Sequence, residues 1–123
     1  MTDRPLVAVV DDDESVRESL PDLLTELGYD AQAYASAEAF LASGRIAETR
    51  CLILDVSMPG MSGERLQREL RLRRHGFPVI FITAQGDTAL RPRLIERGAV
   101  ECLLKPFTEA ALREALSAAF RGS

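Results

Sequence analysis

Residues 51–63 read CLILDVSMPGMSG: four apolar residues, Cys51 to Leu54, run straight into Asp55 and then into a segment broken by Pro59, Gly60 and Gly63. An apolar run this short, rich in Leu and Ile and closed by turn residues, suits a strand covered on both faces. The C-terminal end of such a strand is where open α/β sheets place their sites. Asp55 is then either a carboxylate delivered to a site or an ordinary turn or cap aspartate. The rest of the chain decides between the two.

Working outward, the residues on either side repeat the pattern. PVIFIT at 78–83 is the clearest strand, LVAVV at 6–10 is another that opens into Asp11, Asp12, Asp13 and Glu14, and Val100 to Leu104 makes a further one. DAQAY at 30–34 is a weaker strand of small residues, suited to an edge. Between them lie helical spacings. Val16, Leu20, Leu23, Leu24 and Leu27 end at Gly28; Ser36 caps a short helix bearing Ala37, Phe40 and Leu41; Leu66 and Leu70 mark a helix over about 62–73. Leu90, Leu94 and Ile95 mark a helix over roughly 87–97 that ends at Gly98, and Thr108 caps a last one bearing Leu112, Ala115, Leu116 and Phe120. Pro21 and Pro92 fall inside two of these spacings. A helix-interior proline clashes with the carbonyl four residues back and costs about 3 kcal/mol. The sequence thus predicts a bend near 17–21, and either a late start or an irregular first turn for the fourth helix.

Strand and helix alternate five times, which implies a parallel sheet with right-handed crossovers and helices on both faces. The C-terminal ends of the strands then bring Asp11 and Asp12, Asp55, Thr83 and Lys105 to one sheet edge. Each residue alone has an ordinary explanation, as a cap, a strand end or a surface charge. Their joint arrival from four strands is much harder to ascribe to chance.

Length and composition fit this architecture. The 123 residues suffice for one domain, 46% hydrophobic and 28% charged, without a linker, repeat or low-complexity tract. The start, MTDRPLVAVVDDD, has neither a signal peptide's nor a membrane span's apolar length, so a cytoplasmic protein is expected. Cys51 and Cys102 lie in apolar runs with no CxxC pair, which argues for reduced, buried thiols. A net charge of -4 gives no electrostatic reason to bind nucleic acid. Arg65, Arg68, Arg71, Arg73 and Arg74 crowd one helix, but Glu64 and Glu69 interleave, as on a solvated face.

Three carboxylates at one place repel, and a divalent cation removes the difficulty. Oxygen-only ligands suit Mg²⁺, with Mn²⁺ able to substitute. The expected ligands are Asp11, Asp12, Asp55 and the backbone carbonyl of Ser57. A carboxylate on a metal, flanked by a hydroxyl and an ammonium, is also arranged as a nucleophile toward phosphorus. In that arrangement Lys105 and the metal neutralise phosphoryl oxygens while Thr83 donates a hydrogen bond.

These residues also resemble the receiver domain of two-component response regulators, over Val7 to Phe120. The likeness rests on VDDDESVR at 10–17, LDVSMPGMSG at 54–63, ITA at 82–84 and KPF at 105–107. Within that family SAEAFLAS at 36–43 and GDTA at 86–89 are most similar to FixJ-type receivers, usually joined to a helix-turn-helix output domain. The resemblance implies a CheY-like, flavodoxin-like sheet of order 2-1-3-4-5 with five helices. It implies that Asp55 accepts a phosphoryl group from the phosphohistidine of a sensor kinase. It also implies that Thr83 and Lys105 sense that group, and that the surface of the fourth helix and fifth strand changes to control an output domain, a partner or a homodimer. The only histidine, His75, is expected far from the site, so the donor is another protein. Such a domain catalyses only its own phosphorylation and dephosphorylation.

Rival readings fare less well. A dehalogenase-like phosphatase carries a second aspartate two residues after the nucleophile, where this chain has Ser57, and a P-loop enzyme needs a GxxxxGK[ST] cradle, where it has aspartates. A receiver fold kept as a binding module, without phosphorylation, is the main alternative. Ser57 and Gln85, two residues after Asp55 and Thr83, flank the path of an attacking water and should set phosphate lifetime. Cys102 stands where similar receivers commonly carry Tyr or Phe. A single small rotor cannot swing a ring behind Thr83, so any switch here should work without an aromatic rotamer change.

Overall fold

Each apolar run becomes a strand and each 3.6-periodic run a helix. The structure, a computed structural model, describes residues 4–84 and 89–121. Its strands are β1 (Leu6–Val10), β2 (Asp30–Tyr34), β3 (Thr49–Asp55), β4 (Val79–Thr83) and β5 (Glu101–Leu104). Its helices are α1 (Glu14–Glu26), α2 (Ala37–Leu41), α3 (Gly63–Leu72), α4 (Leu90–Glu96) and α5 (Glu109–Arg121), with a 3-10 turn at Ile46–Glu48 ahead of β3. All pairings are parallel and the sheet order is β2-β1-β3-β4-β5, the doubly wound arrangement the sequence implies. No helix among the described residues is long and apolar enough to cross a membrane.

Successive side chains on a strand point to opposite faces, so each strand feeds two layers. Ala8, Leu52, Leu54 and Phe81 face α2, α3 and α4, where Phe40, Leu66, Leu70, Leu90 and Leu94 meet them. Val7, Val9, Ile53 and Ile80 face α1 and α5, against Leu20, Leu24, Leu112 and Leu116. Burying one such aliphatic side chain contributes about 1.5–3 kcal/mol. The central strands β1 and β4 are buried along their whole length, whereas β2, the small-residue strand, is half-exposed at an edge.

Helix starts are capped by side chains, at Ser36 and Thr108 as read from the sequence and at Asp13 and Ser62 besides. Ser15 N–H donates to Asp13 Oδ1 at 2.9 Å, Ala39 N–H to Ser36 Oγ at 3.0 Å, Arg65 N–H to Ser62 Oγ at 3.2 Å and Ala111 N–H to Thr108 Oγ1 at 3.0 Å. Helix α4 is the exception, preceded by Ala89 with no side-chain cap. It begins at Leu90, so Pro92 lies in its first turn, where the missing N–H has no intrahelical partner to lose. Of the two outcomes expected for Pro92, the late start is the one found. Helix α1 continues unbroken through Pro21 to Glu26, and Gly28 beyond it adopts φ +104.

Candidate functional site

Four consecutive acids after β1 resolve into separate tasks. Asp11 is fully buried because its N–H extends the sheet ladder to the Tyr34 carbonyl at 3.1 Å. Its Oδ1 accepts the Asp13 N–H at 2.9 Å, and Arg17 Nη1 donates to its carbonyl at 3.0 Å. Asp12 is exposed. Asp13 is the α1 cap, and hydrogen bonds from the Ser15 hydroxyl and N–H hold its carboxyl below the usual range. Glu14 opens the helix, where a negative charge suits the dipole.

Asp55 ends β3 and is nearly fully buried. The next residue keeps the ladder, Val56 N–H donating to the Ile82 carbonyl at 3.1 Å, and Ser57 N–H turns back to Asp55 Oδ1 at 3.3 Å. The turn is then pinned at two points. Gly63 N–H bonds the Val56 carbonyl at 3.0 Å, and a Cβ on Gly63 would collide with the Asp55 carbonyl oxygen. Glu38 of α2 accepts the Met61 N–H at 3.1 Å, beside Gly60 at φ +77, where a Cβ would meet the same carboxylate at 2.7 Å.

The carboxylates converge as expected. Asp11, Asp12 and Asp55 each offer an oxygen within 4.8 Å of the others, and Lys105 from the end of β5 places Nζ 2.9 Å from Asp11 Oδ2 and 3.8 Å from Asp55 Oδ2. Burial and then the nearby Asp11 charge push Asp55 up to about 7, with Lys105 pulling the other way and hydrogen bonding with Asp11 and Asp12 adding to the rise. Burial pulls the Lys105 ammonium down, but its pairing with Asp11 and Asp55 outweighs this and leaves it above its ordinary value.

This donor set fits a hard divalent cation. Three carboxylate oxygens from two strand ends meet with no nitrogen or sulfur ligand in the cluster. Oδ2 of Asp11 is buried and lies near the Lys105 ammonium without hydrogen-bond geometry, so it keeps a lone pair for a cation.

Thr83 is buried at the matching end of β4, and its hydroxyl donates to the Ala84 carbonyl at 3.3 Å. Ser57 is exposed beside Asp55. Cys102 is not brought to the carboxylates: it pairs with Phe81 two residues short of that edge and is buried in the layer shared with α4. Gln85 lies outside the described residues. Sequence reasoning missed Arg17, Glu38 and Gly63 as groups that fix the two loops. Only Arg17 offered a signal, as the first cation after the acidic run.

The family described as response regulator receiver domain matches residues 7–117. The chain belongs to that family. The receiver is 38% identical over 122 residues to the response regulator protein TodT of Pseudomonas putida, covering 98% of this chain and 54% of that protein. It is 42% identical over 112 residues to the transcriptional regulatory protein FixJ of Azorhizobium caulinodans, covering 91% and 53%. Among solved structures, FixJ-N superposes with a TM-score of 0.85 at 37% identity, covering 100% of this chain and 98% of that one. The receiver is therefore of the FixJ type and has a role in two-component signalling. It spans about half the length of the curated relatives it matches.

Proposed function

We propose that this receiver is a phosphorylation-activated switch in which Asp55 accepts a phosphoryl group from a partner kinase's phosphohistidine. The observation that carries the reading is the Asp55 carboxylate, held at the end of a buried strand within 4.8 Å of two other carboxylate groups and 3.8 Å from the Lys105 ammonium. An Asp55 oxygen forms the new bond to phosphorus as the N–P bond breaks and the electron pair returns to the donor imidazole. Lys105 stabilises the oxygens of the transferring group, and Thr83 turns its hydroxyl from the Ala84 carbonyl to a phosphoryl oxygen. Asp11, Asp12, Asp55 and the Ser57 carbonyl would hold Mg²⁺, which supplies further charge neutralisation when bound. Hydrolysis of the acyl phosphate by water returns Asp55 and releases inorganic phosphate. Ser57 and Gln85 tune that lifetime, so substituting either changes decay of the phosphoprotein more than its formation.

Donor recognition has a surface of suitable shape beside the acceptor. A groove of about 540 Å³ runs between α1 and the residues after β5, lined by Val16, Leu20, Leu23, Pro106 and Phe107, with Lys105 at its edge. Along α1 the exposed Glu14, Glu18, Asp22 and Glu26 recur every fourth residue and so share one face. None of the four enters an ion pair among the described residues. The groove and stripe suit a kinase helix with apolar anchors and a basic flank. The α4 and β5 surface is then left for an output domain, a protein partner or a second copy.

The deciding experiment is incubation with acetyl phosphate and Mg²⁺, read by intact mass, with Asp55→Asn as control. A mass gain of one phosphoryl group in the wild type alone supports the switch. No gain, under conditions that modify another receiver, favours a receiver fold used as an unphosphorylated binding module. Charge reversal of Asp22 and Glu26 to Lys should slow transfer from the kinase and leave acetyl phosphate chemistry unchanged.

A further inference from the structure

Helix α4 has little to hold it in place by itself. It is seven residues long, includes Pro92, lacks a side-chain cap and buries only Leu90 and Leu94. An isolated helix this short is not stable in water, so its position is set by what it touches.

Beyond the two leucines in the apolar layer, its side chains meet α3 and β5 through charge. Arg93 Nη2 and Arg97 Nη1 reach across to the two oxygens of one carboxylate, Glu64 of α3, each at 2.8 Å. The Glu64 side chain is only 20% exposed, against about half for either arginine, so this pair is less screened by solvent than most surface contacts. On the other flank Arg91 pairs with Glu101 of β5 at 2.7 Å. Between α4 and the β3–α3 turn a cleft of about 580 Å³ opens, lined by Ser57, Met58, Pro59, Leu90 and the Glu64–Arg93 pair itself. Glu64 spans this gap.

Glu64 also has a fixed relation to the acceptor. It follows Gly63, the residue whose N–H bonds the Val56 carbonyl and whose Cα abuts the Asp55 carbonyl. A shift of the Asp55 turn moves Gly63 and with it the carboxylate that holds Arg93 of α4 and Arg97 just after it.

We propose that Glu64 is the tether that sets the position of α4 and carries displacements of the Asp55 turn to it. The tether is a property of the free protein. Its coupling to phosphorylation rests on Asp55 being the acceptor.

Hydrogen exchange of residues 90–97 in the full chain, measured at low salt, tests both halves. Glu64→Gln should exchange roughly three- to tenfold faster there than wild type, with α1 and α5 unchanged. The difference should shrink near 1 M NaCl, where screening acts within about 3 Å. Arg93→Gln with Arg97→Gln should behave alike, and Glu64→Arg with Arg93→Glu and Arg97→Glu should recover protection, which separates a tether from a general folding defect. On acetyl phosphate treatment, wild type should change its α4 exchange while Glu64→Gln takes up the phosphoryl group with no such change. Equal α4 exchange in wild type and both loss variants at low salt overturns the tether. An unaltered α4 response in phosphorylated Glu64→Gln overturns the coupling. A wild type that takes up no phosphoryl group overturns the reading of Asp55 and the coupling with it, while the tether still stands or falls on the unphosphorylated exchange.

Discussion

Replacing Asp55 by Asn should make the metal-free protein more stable, and increasingly so as pH rises. The carboxyl is pushed from the ordinary 3.8 to about 7, first by burial and then by the Asp11 charge. Between those values the unfolded chain has released the proton that the folded chain retains, so the unfolded state binds fewer protons and stability falls with rising pH. Below about 4 both states are protonated and the cost vanishes; above about 7 both are ionised and the cost is constant. At about 1.36 kcal/mol per pH unit, the span of roughly three pH units sets a ceiling of about 4 kcal/mol. Water in the open site and side-chain relaxation screen part of this, so about 2 kcal/mol is the expected gain at pH 8. Urea unfolding in EDTA at several pH values from 4 to 8 measures it. The Asn variant's advantage should grow from near zero at the acid end and level off above pH 7. An advantage independent of pH, or a variant less stable than wild type at pH 8, would refute the argument that crowding and burial raise this carboxyl.

Three further outcomes follow from the same geometry. Mg²⁺ at one hundred times its dissociation constant should raise unfolding stability at pH 8 by about 2.7 kcal/mol, and Asp12→Asn should remove most of that rise in the same titration; no rise in wild type contradicts the cation site. Gly63→Ala places a methyl against the Asp55 carbonyl and should cost about 1–3 kcal/mol in urea unfolding, with slower phosphoryl uptake by intact mass; a neutral effect on both would show that the turn yields freely. Thr83→Ala should leave Asp55 phosphorylation intact but weaken the phosphorylation-dependent change in α4 exchange, whereas Cys102→Ala should preserve it. If the two variants lose the response equally, the thiol takes part in the switch.

The strands and the site residues were legible because each is written locally. Cys51 to Asp55 and Val79 to Thr83 are continuous apolar runs, and topology alone carries their ends to a common edge. Caps at Ser36 and Thr108 were equally visible, and Asp13 and Ser62 prove to cap two further helices. What the sequence hid was long-range. Glu64 read as one of two acids easing an arginine-rich helical face, and Glu69 does pair with Arg73 one turn away. Glu64, however, takes its partners from α4 and the residue that caps it, 29 and 33 residues on. The contact of Gly63 with the Asp55 carbonyl was hidden for the same reason, since nothing local distinguishes a glycine that permits a turn from one that lets two backbones touch.

The two apolar layers on either side of the sheet have a consequence for how such a protein can diversify. The α1 groove draws on the layer containing Leu20 and Leu112, and α4 draws on the layer containing Leu66 and Leu94, with the strands standing between them as a wall. Side chains on opposite surfaces of that wall share no contacts within a cluster, and substitutions at such separated sites generally add. If α1 meets the donor and α4 the listener, as proposed, the two are separately adjustable. A lineage can exchange one correspondent while keeping the other, provided the carboxylates at the rim stay where they are.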